Sequence, residues 1–600
     1  MRSNHPLLLR LAVLLLGLFA APVAAQDYHW TSPVTGNWND AARWTPNGTP
    51  NGAGQTATLD AAGSAYLVTL NLDASLDAFT LNSLDASLFA SGRVITVNGP
   101  SSFAAGDSLL RSVTWGGTGT LANSAVLRFE GSSSLASLDQ QGDLYLQGNP
   151  SGGHAYLTLS NPATNSGTIQ LESTGGGYLE TLTMAGGGLL GNSGSLVFAP
   201  GTGGSRFFDG ALINDDQVQV QQRTTLRTGP ITNRADFNVD PGVLLDFGPG
   251  VLFVQEAGSL TADGDYLLSA GSFELGDGLV SGSPVLRNSA VTVRTGSTAT
   301  GELQIEGSSS TLAGDISAGL TLRLVGHSGA GHGTLTVPAS LTNLGTLALE
   351  SSSGAYQETL VVSPGAVLTN QGSLELLPGS GGSRYLDGEF INEGSADVAV
   401  ATTFSTGPYT NRGALHVAQG TSLAFGSSVA FVQESGLLDV EGDLLLINGS
   451  FDLDGGTVQG PPRLRGCVLD IGPGATGPAS LRTEGASTLT GDIAAATTLN
   501  VHGLPTGSHA SLTLGSDVVN SGELRFDSEG GGYASSLVVP SGLTLTNQGN
   551  LRIEAGSGGS RFLDGALVNF GLLDLCNTLP DTAAARSTTT APWRSARAAP

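Results

Sequence analysis

The sequence predicts an all-β chain, a parallel β-solenoid built from three tandem units of about 178 residues, the last incomplete. Three observations carry this. One segment is written three times: GTGGSRFFDGALIN from Gly201 to Asn214, GSGGSRYLDGEFIN from Gly379 to Asn392, and GSGGSRFLDGALVN from Gly556 to Asn569. The copies start 178 and 177 residues apart. A finer period lies inside the long one. Asn165, Asn192, Asn214 and Asn233 are separated by 27, 22 and 19 residues, and Asn343, Asn370, Asn392 and Asn411 repeat those spacings. Asn520, Asn547 and Asn569 repeat the first two. Finally, apolar periodicity of the helical kind is confined to the extreme N-terminus of a chain with 88 glycines. Tandem units that bury their apolar faces against their neighbours make a repeat architecture. Copied, unequal spacers suit coils with loops better than hairpins with two-residue turns.

The elements follow in order. Residues 1–25 read as a secretory signal peptide: Arg2 and Arg10 precede an apolar run from Leu11 to Ala21, and Val23 and Ala25 sit before a cut at Gln26. The run is too short to span a bilayer, and no other apolar run is longer. Residues 26–60 hold Trp30, Trp38 and Trp44, while the rest of the chain has Trp only at 115 and 593. They form a cap over the first coil, or alternatively a stacking platform for sugar rings. Residues 61–122 are N-terminal coils. Residues 123–300 and 301–478 are the first two repeat units, and 479–577 a partial third.

In each unit Asn-x-Gly leads into a strand of period two. Leu347 and Leu349 alternate with Ala348 and Glu350, and Leu524, Leu374 and Leu551 open similar strands. Asn and Gly tolerate left-handed backbone, which makes the motif a turn. At about 21 residues per coil this gives roughly 25 coils in one continuous stack. After Cys576 the third unit stops resembling its copies, and the expected TxxTGPxTNRG segment is replaced by LPDTAAARSTTTAPWRSARAAP. The expectation is a disordered tail over 578–600, from a truncation, a frame shift or a genuine low-complexity end. The last coil would then present an open strand edge and self-associate.

Composition bounds the function. The chain carries 24 basic and 50 acidic residues, a net charge of −26, and every basic residue is Arg. That balance argues against nucleic acid and anionic lipid as partners. Cys467 and Cys576 are not repeat-equivalent and lie about five coils apart, so the expectation is two free thiols.

Candidate sites must be weighed against the repeat, because a unique catalytic centre has to break it. His154, His332 and His509 keep step, as do Tyr178, Tyr356 and Tyr533. Gly331-His332-Gly333 and Asp215-Asp216 are similar to the polygalacturonase pattern. Asp215-Asp216 becomes Glu393-Gly394 in the second unit, and the other elements of that pattern are missing. Gly326-His327-Ser328-Gly329-Ala330 lacks the last Gly of a nucleophile elbow and any following helix. No catalytic residue, cofactor site or zinc or calcium spacing is expected. The repeat-locked polar set is Arg206 and Asp209, Arg384 and Asp387, Arg561 and Asp564, with Asn165, Asn343 and Asn520 leading the coils. Arg-x-x-Asp-Gly is expected to make a local salt bridge or a backbone bond that orders a loop, with a repeated ligand site on one face as the functional alternative.

The W…GNW…RW…P opening, the Asn-x-Gly strands and turns such as Gly455-Gly456-Thr457 resemble bacterial autotransporter passenger regions. They are also similar to surface proteins with autotransporter-associated β-strand repeats, some of which end in a PEP-CTERM anchor. The resemblance implies a right-handed β-helix exposed at, or released from, a cell surface. It implies a structural or adhesin-like role towards glycans, surface proteins or copies of the same chain. A C-terminal β-barrel and a Pro-Glu-Pro signal are not present in the sequence. The alternatives are a polysaccharide-degrading β-helix enzyme and a carbohydrate-binding surface protein.

Overall fold

A computed structural model describes residues 25–506, 509–554 and 556–575. The signal-peptide assignment, Cys576 and the tail over 578–600 lie outside them. The described chain is 57% strand and 1% helix, wound as a parallel β-solenoid of about 24 turns. Two compact units divide at Ile169 and Gln170.

In the first unit the strands, Trp44–Thr45 apart, pair in parallel with the strand three places further on. Gln55–Leu59, Ala78–Leu81, Ser101–Phe103 and Leu121–Asn123 form one column. Tyr66–Leu70, Ala86–Ser91, Asp107–Arg111 and Val126–Glu130 form the second. Ala74–Leu76, Val94–Val97, Thr114–Gly116 and Ser132–Leu135 form the third. One coil therefore has three sides. The period-two pattern sets which residues enter the coil: Val68, Leu88, Leu110 and Leu127 are buried, and the residues between them face out.

The second unit uses the same pairing rule, with one slip per long repeat. The strand Thr300–Glu306 pairs with two strands of the coil below it, Leu279–Ser281 and Val285–Arg287, and so takes two sides at once. Ala479–Glu484 does the same over Thr457–Gln459 and Arg463–Arg465. After each slip the pattern moves by one side. The column that holds Asn192, Asn214 and Asn233 continues through Ser272–Leu275, Ala290–Val293 and Gly333–Val337 to Arg384–Asp387. The column that holds Asn343, Asn370, Asn392 and Asn411 continues to Arg561–Asp564. Leu347, Leu374, Leu524 and Leu551 are all buried, as the alternation requires.

The asparagines do something other than turn the chain. None of the repeat asparagines has positive φ, and neither do the glycines of Asn-x-Gly. Instead each Asn side chain points into the coil at a strand end and stacks on its counterpart. Asn343 Nδ2 donates to Asn370 Oδ1 at 2.7 Å, Asn370 to Asn392 at 2.8 Å, and Asn392 to Asn411 at 2.8 Å. Asn411 then donates to Gln433 Oε1 at 2.9 Å. The second amide hydrogen of Asn392 goes to the Ala414 carbonyl at 2.9 Å. A primary amide has two donors and one acceptor oxygen, so it can serve a ladder and the backbone together. The glycine is required by close approach. A Cβ on Gly372 would stand 2.1 Å from the Gly345 carbonyl oxygen of the coil below.

Candidate functional site

The tryptophans are core, not surface. Trp30, Trp38 and Trp44 are at most 2% exposed. Trp44 meets Trp30 and Trp38 edge to face, with centroids 5.0 and 4.8 Å apart. Their indole N–H groups donate to the carbonyls of Val34, Pro50 and Trp38. A sugar platform needs an exposed ring face, and these rings present none. They close the first coil, Trp30 from the end of Gln26–Trp30, which pairs antiparallel with Trp44–Thr45 and parallel with Gln55–Leu59.

The Arg-x-x-Asp motif makes no local salt bridge; its arginine makes backbone bonds to the loop, the other expectation. Arg206 is fully buried and pairs with Glu180, 26 residues earlier, at 2.5 Å. Arg384 pairs with Glu358 at 2.5 Å. Asp209 faces outward to Arg227 at 2.6 Å, Asp387 is half-buried, and Asp564 ends its strand exposed. The reason is strand geometry: residues three apart on a strand point to opposite faces, so Arg enters the coil and Asp leaves it. Arg206 also donates to the carbonyls of Leu171, Ala199, Pro200 and Gly203. Arg384 donates to Leu349, Leu377, Pro378 and Gly381. Each guanidinium thus ties a strand carbonyl, Leu171 or Leu349, to carbonyls at the entry of the Gly-rich loop. Burial pushes the Glu358 carboxyl up to about 7, against the opposing pull of Arg384. Burial lowers both Arg206 and Arg384.

A second copied pair escaped sequence reasoning. Arg111 meets Glu130 at 2.5 Å, Arg287 meets Glu306 at 2.7 Å, and Arg465 meets Glu484 at 2.9 Å. Each pair is 19 residues apart, one coil, and that recurrence was the signal available. The carboxylates are buried, and their other partners differ: Asn149, His327, and Arg463 with Arg482.

The histidines sit on loops as structural groups. His332 Nδ1 accepts from the Gln357 N–H at 2.9 Å, and His509 Nδ1 accepts from Ala534. Their rings lie 5.5 and 6.0 Å from Tyr356 and Tyr533. Asp215 is exposed and faces Arg234, which also holds Glu256. Buried Cys467 takes the place of Ser289, and both donate to carbonyls of equivalent residues, Leu446 and Arg465 against Leu268 and Arg287. Asn165, Asn343 and Asn520 are fully buried at strand ends.

The repeated residues do not line one face. Arg384 and Arg561 lie on columns begun by the asparagines of the preceding copy, so equivalent side chains occupy different sides of the coil. A repeated ligand site acting by avidity along one surface does not fit this placement. In the first unit a shallow groove of about 370 Å³ runs over Ala104, Gly106, Ala125, Gly142, Gly167 and Thr168, with Asp143 the one titratable group on its walls.

Among the described residues, one group could hold a metal ion: His416, Asp439 and Glu441, whose ligand atoms lie within 4.8 Å of one another. His416 Nδ1 is 2.9 Å from Asp397 Oδ1. That hydrogen bond, with Asp439 and Glu441 adding, raises the imidazole above its ordinary value. No helix among the described residues is long and apolar enough to cross a membrane. No family model, curated protein or solved structure matches the chain.

Proposed function

We propose that the chain is a non-enzymatic, extracellular β-solenoid of a bacterial cell surface or matrix, acting as a stiff spacer or adhesin-like element. One observation carries this reading: the copied polar side chains that chemistry could use are committed to the coil itself. The asparagines stack on one another, the buried arginines hold loop carbonyls, and the histidines brace turns. Groups held in this way are not free to meet a substrate. The secretory signal and the acidic, lysine-free composition support an extracellular location. Its partners on this reading are glycans, other surface proteins or further copies of the chain.

The test is turnover of pectin, alginate and other acidic polysaccharides, followed by reducing ends and unsaturated products. The expected outcome is none. Clear turnover that disappears in His332→Ala would establish a β-helix polysaccharide lyase or hydrolase instead.

A further inference from the structure

From the second unit we infer a binding site for one divalent transition-metal ion of the zinc class, held by His416 Nε2, Asp439 and Glu441. The repeat makes this place unusual. Parallel, in-register stacking sets Glu375, Asp397, His416 and Asp439 in one outward row, each on the next coil. The same row in the preceding copy reads Val197, Gln219, Asn238 and Thr261. Inward neighbours stay apolar in both rows, Leu374, Ala396, Leu415 and Leu438 against Leu196, Val218, Phe237 and Leu260. Folding therefore does not ask for the charges. Four outward positions have changed together from neutral residues to three carboxylates and one imidazole.

The arrangement suits a metal for geometric reasons. Stacked carboxylates on adjacent strands repel, and Glu375 lies directly beside Asp397. Asp397 accepts from His416 Nδ1–H at 2.9 Å, which leaves Nε2 as the free lone pair. Nε2 lies 3.9 Å from Glu441, and one ligand atom each of His416, Asp439 and Glu441 lie within 4.8 Å of one another. A carboxylate that fixes the tautomer behind a ligating imidazole is the usual support for a metal-bound His. One nitrogen and two carboxylates match the zinc preference, with water completing the shell. Calcium takes six to eight oxygens and has little use for an imidazole. No zinc spacing exists along the chain because the ligands come from successive coils, 23 residues apart for His416 and Asp439. Sequence reasoning expected no metal for that reason.

The experiment is titration of the full secreted chain with Zn²⁺ by calorimetry and equilibrium dialysis. One ion per chain is expected, and millimolar Ca²⁺ should not displace it. His416→Asn installs the residue that the preceding copy carries at this position, Asn238, so the coil should form and this binding should vanish. Asp397→Asn keeps all three ligands and should weaken binding about 10–100-fold. X-ray absorption should report one nitrogen among oxygen neighbours at about 2.0–2.2 Å. Unchanged Zn²⁺ binding in His416→Asn, or no binding by the wild-type chain at millimolar Zn²⁺, would overturn the site. Far-ultraviolet circular dichroism of each variant separates lost binding from lost fold.

Discussion

The second and third copies carry the same buried arginine, and only one of them carries its acid. Arg384 faces Glu358 at 2.5 Å, whereas the strand beside Arg561 presents Ser535 at that position. Arg561 still enters the coil, donates to the Gly559 carbonyl, and has Asp527 3.7 Å away. The repeated loop GSGGSR differs in backbone form: Gly379, Gly381 and Gly382 all have positive φ, whereas in the third copy Gly556 alone does. The buried arginine is the part that both copies keep, while the acid beside it and the path of the loop vary. This agrees with the energetics of buried ion pairs, whose attraction is offset by the desolvation of both charges. The lasting contribution is the set of donors that the guanidinium offers to several backbone carbonyls at once.

The largest effect should come from removing the arginine. Arg384→Ala strips donors from the carbonyls of Leu349, Leu377, Pro378 and Gly381 and leaves Glu358 buried. The expected cost is about 3–5 kcal/mol, felt locally because a solenoid coil depends on its neighbours alone. Hydrogen exchange of the strands Arg384–Asp387 and Glu358–Val362 reads it. Arg561→Ala should loosen the third copy to a similar degree. A much smaller loss there would mean that the glutamate, and not the carbonyls, sets the scale.

A smaller effect should follow from the amide ladder, which both copies share. Asn392→Ala leaves Asn370 without its side-chain acceptor and takes a donor from Asn411 and Ala414. Each buried group left unmade costs about 1–3 kcal/mol. Asn547→Ala interrupts Asn520 and Asn569 in the same manner and should cost the same. Protection factors along Leu368, Phe390 and Phe431 against Leu545 and Val568 make the comparison. Unequal losses would show that the copies differ in more than the glutamate.

Much of this was legible in the sequence, and the part that was not has a physical reason. Alternation named the inward residues, such as Leu347 and Leu551, because a strand has only two faces. Fixed spacers named the coils. Partner identity was not legible, because a side chain's neighbour in a solenoid sits one coil away. Arg384 was assigned to Asp387 from proximity along the chain, while its true partner Glu358 lies 26 residues back, as Glu180 does from Arg206. The Asn-x-Gly glycines were assigned to backbone freedom, while the governing distance is to a carbonyl of the coil below, as at Gly372. The tryptophans read as a cap with a sugar platform as the alternative, and the placement of Trp38 between Trp44 and Phe79 decides for the cap. The slip at Thr300–Glu306 was invisible, because nothing in the spacing announces that one strand takes two sides.

The smallest effect, and the sharpest test of the comparison, concerns the acid alone. Burial holds the Glu358 carboxyl at about 7, above its ordinary value of 4.5. A carboxyl raised in the folded state favours folding while it is protonated. Its contribution is complete below about pH 4.5 and is lost as pH rises through about 7. The coil around Glu358 should therefore open more readily at pH 8 than at pH 5, by on the order of 1–2 kcal/mol. The coil around Ser535 should lack this dependence. Glu358→Ser copies the third repeat into the second. It should cost less than about 1 kcal/mol at pH 7, since the hydrogen bonds of Arg384 to Leu349 and Leu377 survive and a costly buried charge is gone. It should also flatten the pH profile of hydrogen exchange in Arg384–Asp387. A loss as large as that of Arg384→Ala would mean that the ion pair is indispensable in the second copy. The third copy would then hold its arginine by different means.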